Sequence, residues 1–175
     1  MLSKYSSLSK TIIQSNVDIV WDVLSKDSHL ELVHPFCKTH KKIVWNKKEK
    51  KDMIEYLNGL IYYRTFYDWK DKQGFKLMIG KKNGKKSRVV WDLKSSNQGV
   101  VLSITVTPYI SKKYNKVLSF ILMKIYIIPL LNNYLENVTN GIKLYVEKGS
   151  AIKKQTQNTP VKVFKCTLPK NRTWI

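Results

Sequence analysis

Few residues in this chain have the chemistry to hold a ligand or move a proton, and their spacing decides what each can do. His34 stands directly before Pro35, and an imidazole with an unperturbed pKa near ~6.5 can serve as general acid or base. The competing reading is a turn residue whose ring bonds to backbone. Arg64 sits in the middle of an alternating run, Leu60–Trp69, in a chain with 29 lysines and only three arginines. A guanidinium there suits a ligand carboxylate or phosphate. The plainer reading puts Arg64 and Arg88 on the solvent face, paired across strands with Asp68 and Asp92. Cys37 is a nucleophile only beside a base. His34 and His40 are each three residues away, and on a strand an odd offset points to the opposite face. That geometry predicts a small buried thiol instead. His29 and His40 read as exposed.

Other chemistries are excluded more simply. Cys37 and Cys166 are the only cysteines, and with three histidines they form no metal-ligand spacing and no disulfide framework. No HExxH, phosphate-binding loop, GxGxxG or GxSxG motif occurs, nor any suggestive pair of carboxylates. The expectation is no metal and no cofactor.

The net charge of +20 invites a nucleic-acid reading that residue type weakens. Of 32 basic residues only Arg64, Arg88 and Arg172 are arginine, which leaves 29 lysines in runs of at most two. Lysine is a hydrated point charge, whereas base and phosphate recognition favours arginine. Lysine with abundant Asn, Ile and Tyr fits compositional bias and solubility, so specific nucleic-acid binding is not expected.

The elements follow from periodicity. Alternation over Leu8–Ser15 predicts a strand, and Asn16 offers a cap for a short helix carrying Ile19, Val20, Val23 and Leu24 on one face. Ser28-His-Leu-Glu31 has the spacing of a capping box for a second short helix, ended by Pro35. From Cys37 to Tyr109 the period is two. Strands are predicted at Lys38–Trp45, Lys51–Leu57, Leu60–Trp69, Gly74–Lys82, Lys86–Ser95 and Gly99–Tyr109. Asn58-Gly59 and Asn83-Gly84 mark hairpins, as two-residue turns in which both central residues take positive φ. Lys112–Ser150 reads as helix with a break near Pro129. Its Leu130, Leu131, Tyr134, Leu135, Val138, Ile142 and Tyr145 form a stripe. Val117–Leu131 is the most apolar stretch, read as a buried helix, with interfacial membrane contact as the other reading. Met1–Lys10 has no apolar core of a signal peptide, and a cytoplasmic location is expected.

One strand, two short helices, a six-stranded meander and a long final helix together resemble a known architecture. The residues carrying the likeness are Ile12-Ile13 with Val20-Trp21-Asp22-Val23-Leu24, His34-Pro35-Phe36, and Tyr134-Leu135, Val138, Gly141-Ile142. The order is similar to the helix-grip fold of the START-related superfamily (SRPBCC), which includes the birch pollen allergen, START lipid-transfer domains and polyketide cyclases. The resemblance implies an α+β fold with a seven-stranded antiparallel curved sheet around the last helix, spanning 1–150. Residues 151–175 are expected as a tail on the body, with one short strand at Val161–Phe164.

The same likeness implies a cavity between sheet and helix, reached near His34. Ligand-facing candidates are Tyr62, Arg64, Phe66, Trp91, Tyr109, Tyr126 and Tyr134, amphipathic rings that also serve as plain core. The leading functional expectation is a binding module for a hydrophobic or amphipathic small molecule, lipid-like or aromatic, in a monomer or weak dimer. The alternative is a cyclase or dehydratase on a polyketide-like substrate, with His34 or a pocket tyrosine moving the proton and Arg64 holding the substrate's anion. A third reading places an anionic membrane surface as partner. It needs Lys41, Lys42, Lys47, Lys48, Lys50 and Lys51 on one hairpin beside Lys81, Lys82, Lys85 and Lys86 on another.

Overall fold

The computed structural model describes residues 2–110 and 115–149, so the expected tail and its short strand lie outside the described residues. Strand β1 is Ser7–Ile13, followed by helices α1 (Val17–Ser25) and α2 (His29–Val33). The meander comprises β2 (Cys37–Trp45), β3 (Lys50–Tyr56), β4 (Ile61–Lys70), β5 (Gly74–Gly80), β6 (Lys86–Ser96) and β7 (Gly99–Thr107). A continuous helical run closes the fold: α3 (Lys116–Ile121), a π-wound stretch Leu122–Ile127, and α4 (Ile128–Lys148). The sheet is antiparallel with order β1-β7-β6-β5-β4-β3-β2, so the first strand returns to pair with the last. This is the helix-grip architecture expected from the sequence.

Local chemistry explains most boundaries. Asn16 caps α1 by accepting the Ile19 N–H at 2.9 Å, and Asn115 caps α3 through Leu118 N–H at 2.8 Å. The break before Pro129 is a widening of the helix: Pro129 has no N–H to donate, and Ile128 N–H reaches five residues back to the Met123 carbonyl. The expected capping box at Ser28 and Glu31 does not form. Ser28 is left-handed (φ 54°), and its hydroxyl donates to the His40 carbonyl at 3.0 Å. Glu31 accepts the His40 N–H at 2.7 Å, so both side chains tie α2 to β2.

Both Asn-Gly hairpins are present, yet neither uses the expected two-residue turn. Tyr56 N–H donates to Leu60 O at 2.8 Å across a three-residue loop in which Gly59 alone takes positive φ (82°). At the other hairpin Gly84 N–H donates to Lys81 O at 3.1 Å, and neither Asn83 nor Gly84 has positive φ. Consecutive hairpins of a meander point to alternate ends. The β2–β3 and β5–β6 tips therefore lie at opposite ends of the sheet, and the ten-lysine rim required by the third reading is not assembled.

The inner face holds a ring-rich core. Trp69 stacks on Phe75 (centroids 5.0 Å), Phe75 on Trp91 (5.3 Å), and Trp45 meets Phe66 and Trp69 edge-on at 5.3 Å. A bulge between Phe66 and Asp68 turns both Phe66 and Trp69 inward despite their odd spacing. Along β1 the helix approaches through small polar side chains, Ser9 and Thr139 bonding at 2.9 Å. Leu135, Val138 and Ile142 are buried as the stripe predicted, whereas Leu130 is exposed.

Val117–Leu131 departs further from expectation. Met123 is buried, but Val117, Leu118, Phe120, Ile121, Ile125 and Leu130 are all exposed. This part of the helix lies beyond the sheet that covers α4, so the expected burial is absent.

At the start of β7, where the β6–β7 turn ends, Gly99 has φ +121°, and a Cβ there would stand 2.2 Å from the Ile13 carbonyl oxygen. Gly99→Ala is expected to lower stability by about 1–3 kcal/mol from backbone conformation alone, with the clash in addition. Gly59→Ala, with nothing within 4 Å of its Cβ, meets only the conformational cost. Urea melts check the ranking; equal losses at the two sites overturn it.

Candidate functional site

The end of the inner face beneath α2 gathers buried titratable groups, His29, His34, His40, Asp52 and Arg64 among the described residues. His34 terminates α2, where Pro35 forces extended backbone. Its ring is nearly inaccessible (4%) and packs against Phe36, Tyr56 and Tyr134, at 6.0, 5.8 and 5.5 Å between centroids. The Phe36 N–H, which can only donate, points at Nδ1 from 3.2 Å. That assigns the proton of the neutral ring to Nε2, which donates to the Tyr134 hydroxyl at 2.7 Å. The Tyr134 and Tyr56 hydroxyls lie within hydrogen-bond distance of each other, at 3.3 Å. Tyr62 flanks Tyr56 with ring centroids 5.6 Å apart.

Burial controls the electrostatics of this chain of groups. Desolvation, with help from the nearby Arg64 charge, lowers the His34 pKa to about 3, so the ring is neutral at physiological pH. Burial also raises the Tyr134 pKa well above 10, and raises those of Tyr56 and Tyr62, the latter to about 12. The result is a desolvated line of neutral donors ending at the half-buried Tyr56.

Beside it lies a charged network that sequence reasoning missed. Arg64 is buried, and its Nε and one terminal nitrogen donate to the two Asp52 oxygens at 2.7 and 2.6 Å. His40 Nε2 lies 3.0 Å from Asp52 Oδ2 and 2.9 Å from Arg64. Burial opposes the Asp52 charge, but contact with Arg64 overrides it and holds the carboxyl at about 2. The same contact outweighs the desolvation of Arg64 and raises its pKa. His29, edge-on to His40 at 5.0 Å, is also kept neutral, chiefly by burial.

Several expectations are corrected here. Arg64 does not face solvent, and its partner is Asp52 rather than Asp68, which instead pairs with Lys76 at 2.7 Å. Arg88 is exposed as expected, but its neighbour is Thr107 at 3.5 Å, while Asp92 pairs with Lys94 at 3.7 Å. His29 and His40 are buried, not exposed. Cys37 is the buried thiol expected, but it shares the inner face with His40, because a bulge between Cys37 and Thr39 cancels the odd offset.

The remaining candidates are dispersed. Phe66 and Trp91 are part of the buried ring stack, and Arg64 lies 5.3 Å from the Phe66 centroid. Tyr109 is half-buried and pairs with Leu2 across an isolated bridge. Tyr126 is exposed on the π-wound stretch. Tyr62, Arg64 and Tyr134 are the ones gathered around His34. A groove of about 130 Å3 between Lys70, Lys76, Val90 and Asp92 lies on the outer sheet face, away from this cluster. Among the described residues no group of His, Cys, Asp and Glu is arranged to hold a metal.

Comparison with known proteins places the fold. No family model matches the chain, and no curated protein sequence does. Solved structures match clearly. A protein of unknown function from Staphylococcus aureus, SA2116, superposes with a TM-score of 0.66 at 11% identity, covering 89% of this chain and 98% of that one. A START superfamily protein from Mycobacterium smegmatis gives 0.63 at 10% identity, covering 83% and 99%. The di-domain ARO/CYC protein StfQ of the steffimycin biosynthetic pathway gives 0.57 at 12% identity; the match covers 86% of this chain and 51% of StfQ. At these identities the likeness shows the fold, a helix-grip fold shared with these structures.

Proposed function

We propose that the chain binds an amphipathic small molecule, lipid-like or aromatic, against the His34–Tyr134–Tyr56 end of the sheet–helix interface. The observation that carries this reading is the polarised hydroxyl line. His34 gives its one proton to Tyr134, whose hydroxyl lies 3.3 Å from that of the half-buried Tyr56, so the line ends on a hydroxyl that can bond one polar group of a ligand. Around it stand the rings of Phe36, Tyr62 and Tyr134, which suit an apolar body with one acceptor. The likeness to START and ARO/CYC structures supports a ligand-binding use of this fold.

The catalytic alternative fares less well on the same geometry. A general acid or base works best with a pKa near the operating pH. His34 at about 3 is a weak base, and Tyr134, pushed far above 10, is a weak acid. Arg64 is already occupied by Asp52, so its charge acts on the site at a distance instead of clamping a substrate anion.

A thermal-shift panel of fatty acids, sterols and aromatic polyketides tests the proposal. One class is expected to raise the melting temperature of the wild type, and Tyr56→Phe to weaken that ligand by about three- to tenfold, the worth of one hydrogen bond. Binding unchanged in Tyr56→Phe, or no stabilising class at all, overturns it.

A further inference from the structure

The exposed apolar start of the last helix has no counterpart in the ligand site and calls for its own explanation. Val117, Ile121, Ile125 and Leu130 recur every four or five residues, with Phe120 beside them; Ile125 is 70% and Val117 68% exposed. Scattered exposed apolar residues are ordinary, but a continuous row over four turns is not. By length and composition Val117–Lys148 would cross a bilayer, and little of its most apolar window is buried. Its second half, however, is bonded to β1 through Ser9–Thr139 and Gln14–Glu147, which leaves only the first half available.

Charge identifies what covers this row. No acidic residue occurs between Asp92 and Glu136, nor before Asp18, so both chain segments that build this end are free of negative charge. Lys124 sits over the Phe120 ring at 5.4 Å. Tyr5 packs edge-on against Phe120 at 6.1 Å, and Lys4 lies over Tyr5 at 5.3 Å. Lysine stems lying along aromatic rings, with ammonium groups at the rim, are the arrangement of an interfacial helix, where apolar side chains enter the acyl boundary and cations meet headgroups. A second copy of the chain fits less well, because it would bring two acid-free, lysine-bearing ends together.

We propose that residues 117–130 dock on an anionic lipid bilayer surface, with Phe120, Ile121 and Ile125 entering the headgroup–acyl boundary and Lys4 and Lys124 contacting the headgroups. This surface does not require the ten-lysine rim and does not depend on the ligand reading. Vesicle flotation of the full chain at about 0.1 M salt, with phosphatidylserine/phosphatidylcholine vesicles and with phosphatidylcholine alone, tests it. The wild type is expected to float with the anionic vesicles only. Ile125→Asp and Ile121→Asp are each expected to weaken that binding by on the order of tenfold or more, and Lys124→Glu to weaken it while making the remaining binding less salt-dependent. All three positions are exposed, so melting temperatures should match the wild type and exclude misfolding as the cause. Three outcomes overturn the proposal: equal binding to neutral vesicles, flotation of Ile125→Asp and Ile121→Asp like the wild type, or a wild-type dimer that Ile125→Asp splits while neither floats. The last would assign the row to self-association.

Discussion

Asp52→Ala is expected to cost about 3–5 kcal/mol of unfolding free energy, more than any other single substitution considered for this chain. Asp52 is fully inaccessible and its two oxygens hold Arg64, itself 4% exposed, at 2.7 and 2.6 Å. Removing the carboxylate strands a guanidinium that cannot release its proton and is too deeply buried for bulk solvent to replace the lost partner. The pair itself is a different matter, because desolvating two ions consumes most of what their attraction returns. A double variant, Asp52→Leu with Arg64→Met, is therefore expected to recover most of the loss and to lie within about 2 kcal/mol of wild type. Urea denaturation of the two singles and the double measures this. If the double is as unstable as Asp52→Ala, the loss comes from packing and the stranded-charge account fails.

Acid is expected to destabilise the protein earlier than carboxylate titration alone would. His34 has a folded pKa of about 3 against an unfolded value near ~6.5, so folding excludes its charged form. Its contribution to stability is whole above pH ~6.5. It falls by about 1.4 kcal/mol per pH unit below that, until it is exhausted near pH 3. His29, also lowered by burial, erodes stability in the same direction. Asp52, held at about 2, adds its loss only below pH ~3.9. Unfolding free energy should thus decline steadily from pH 6.5 to 4, and His34→Gln should flatten the slope across that window. A wild-type curve level between pH 7 and 5 would refute the buried neutral histidine.

The architecture was legible because its signals are local and repeated. Period-two alternation from Cys37 to Tyr109, turn residues at the strand ends and the Asn16 cap each act within a few residues, and they agree. The charged network was hidden for one reason that recurs: registers shifted by a single residue. Read as a two-residue turn, Asn58-Gly59 sets Asp52 opposite Thr65; the three-residue loop actually formed sets it opposite Arg64. Bulges after Cys37 and after Phe66 likewise reversed which side chains face inward, so His40 looked exposed and Asp68 looked like the partner of Arg64. The signal available was Asp52 itself, an acid in phase with Ile54 and Tyr56 on an inward face. The helix error had another source. Apolarity at residues 117–131 says that the stretch avoids water, not that protein is what shields it.

The closure of the sheet by its own first strand sets an order on how the chain can assemble. Strands β2 to β7 each pair with a sequence neighbour, so the meander grows by short loops that cost little entropy. Strand β1 has no such option: Ser7 must find Val106 and Ile13 must find Val100, contacts that span most of the described chain. During synthesis β1 emerges before the other strands and cannot pair until β7 has been made. Until then its alternating face, and the β7 edge it will cover, are both open to other strands. Ser9 and Lys10, with Ser7 before them, keep that waiting strand from being uniformly apolar, while Ile12 and Ile13 hold back the hydrophobic contact to its final residues. The N-terminal strand is thus the point at which folding and aggregation compete in this molecule.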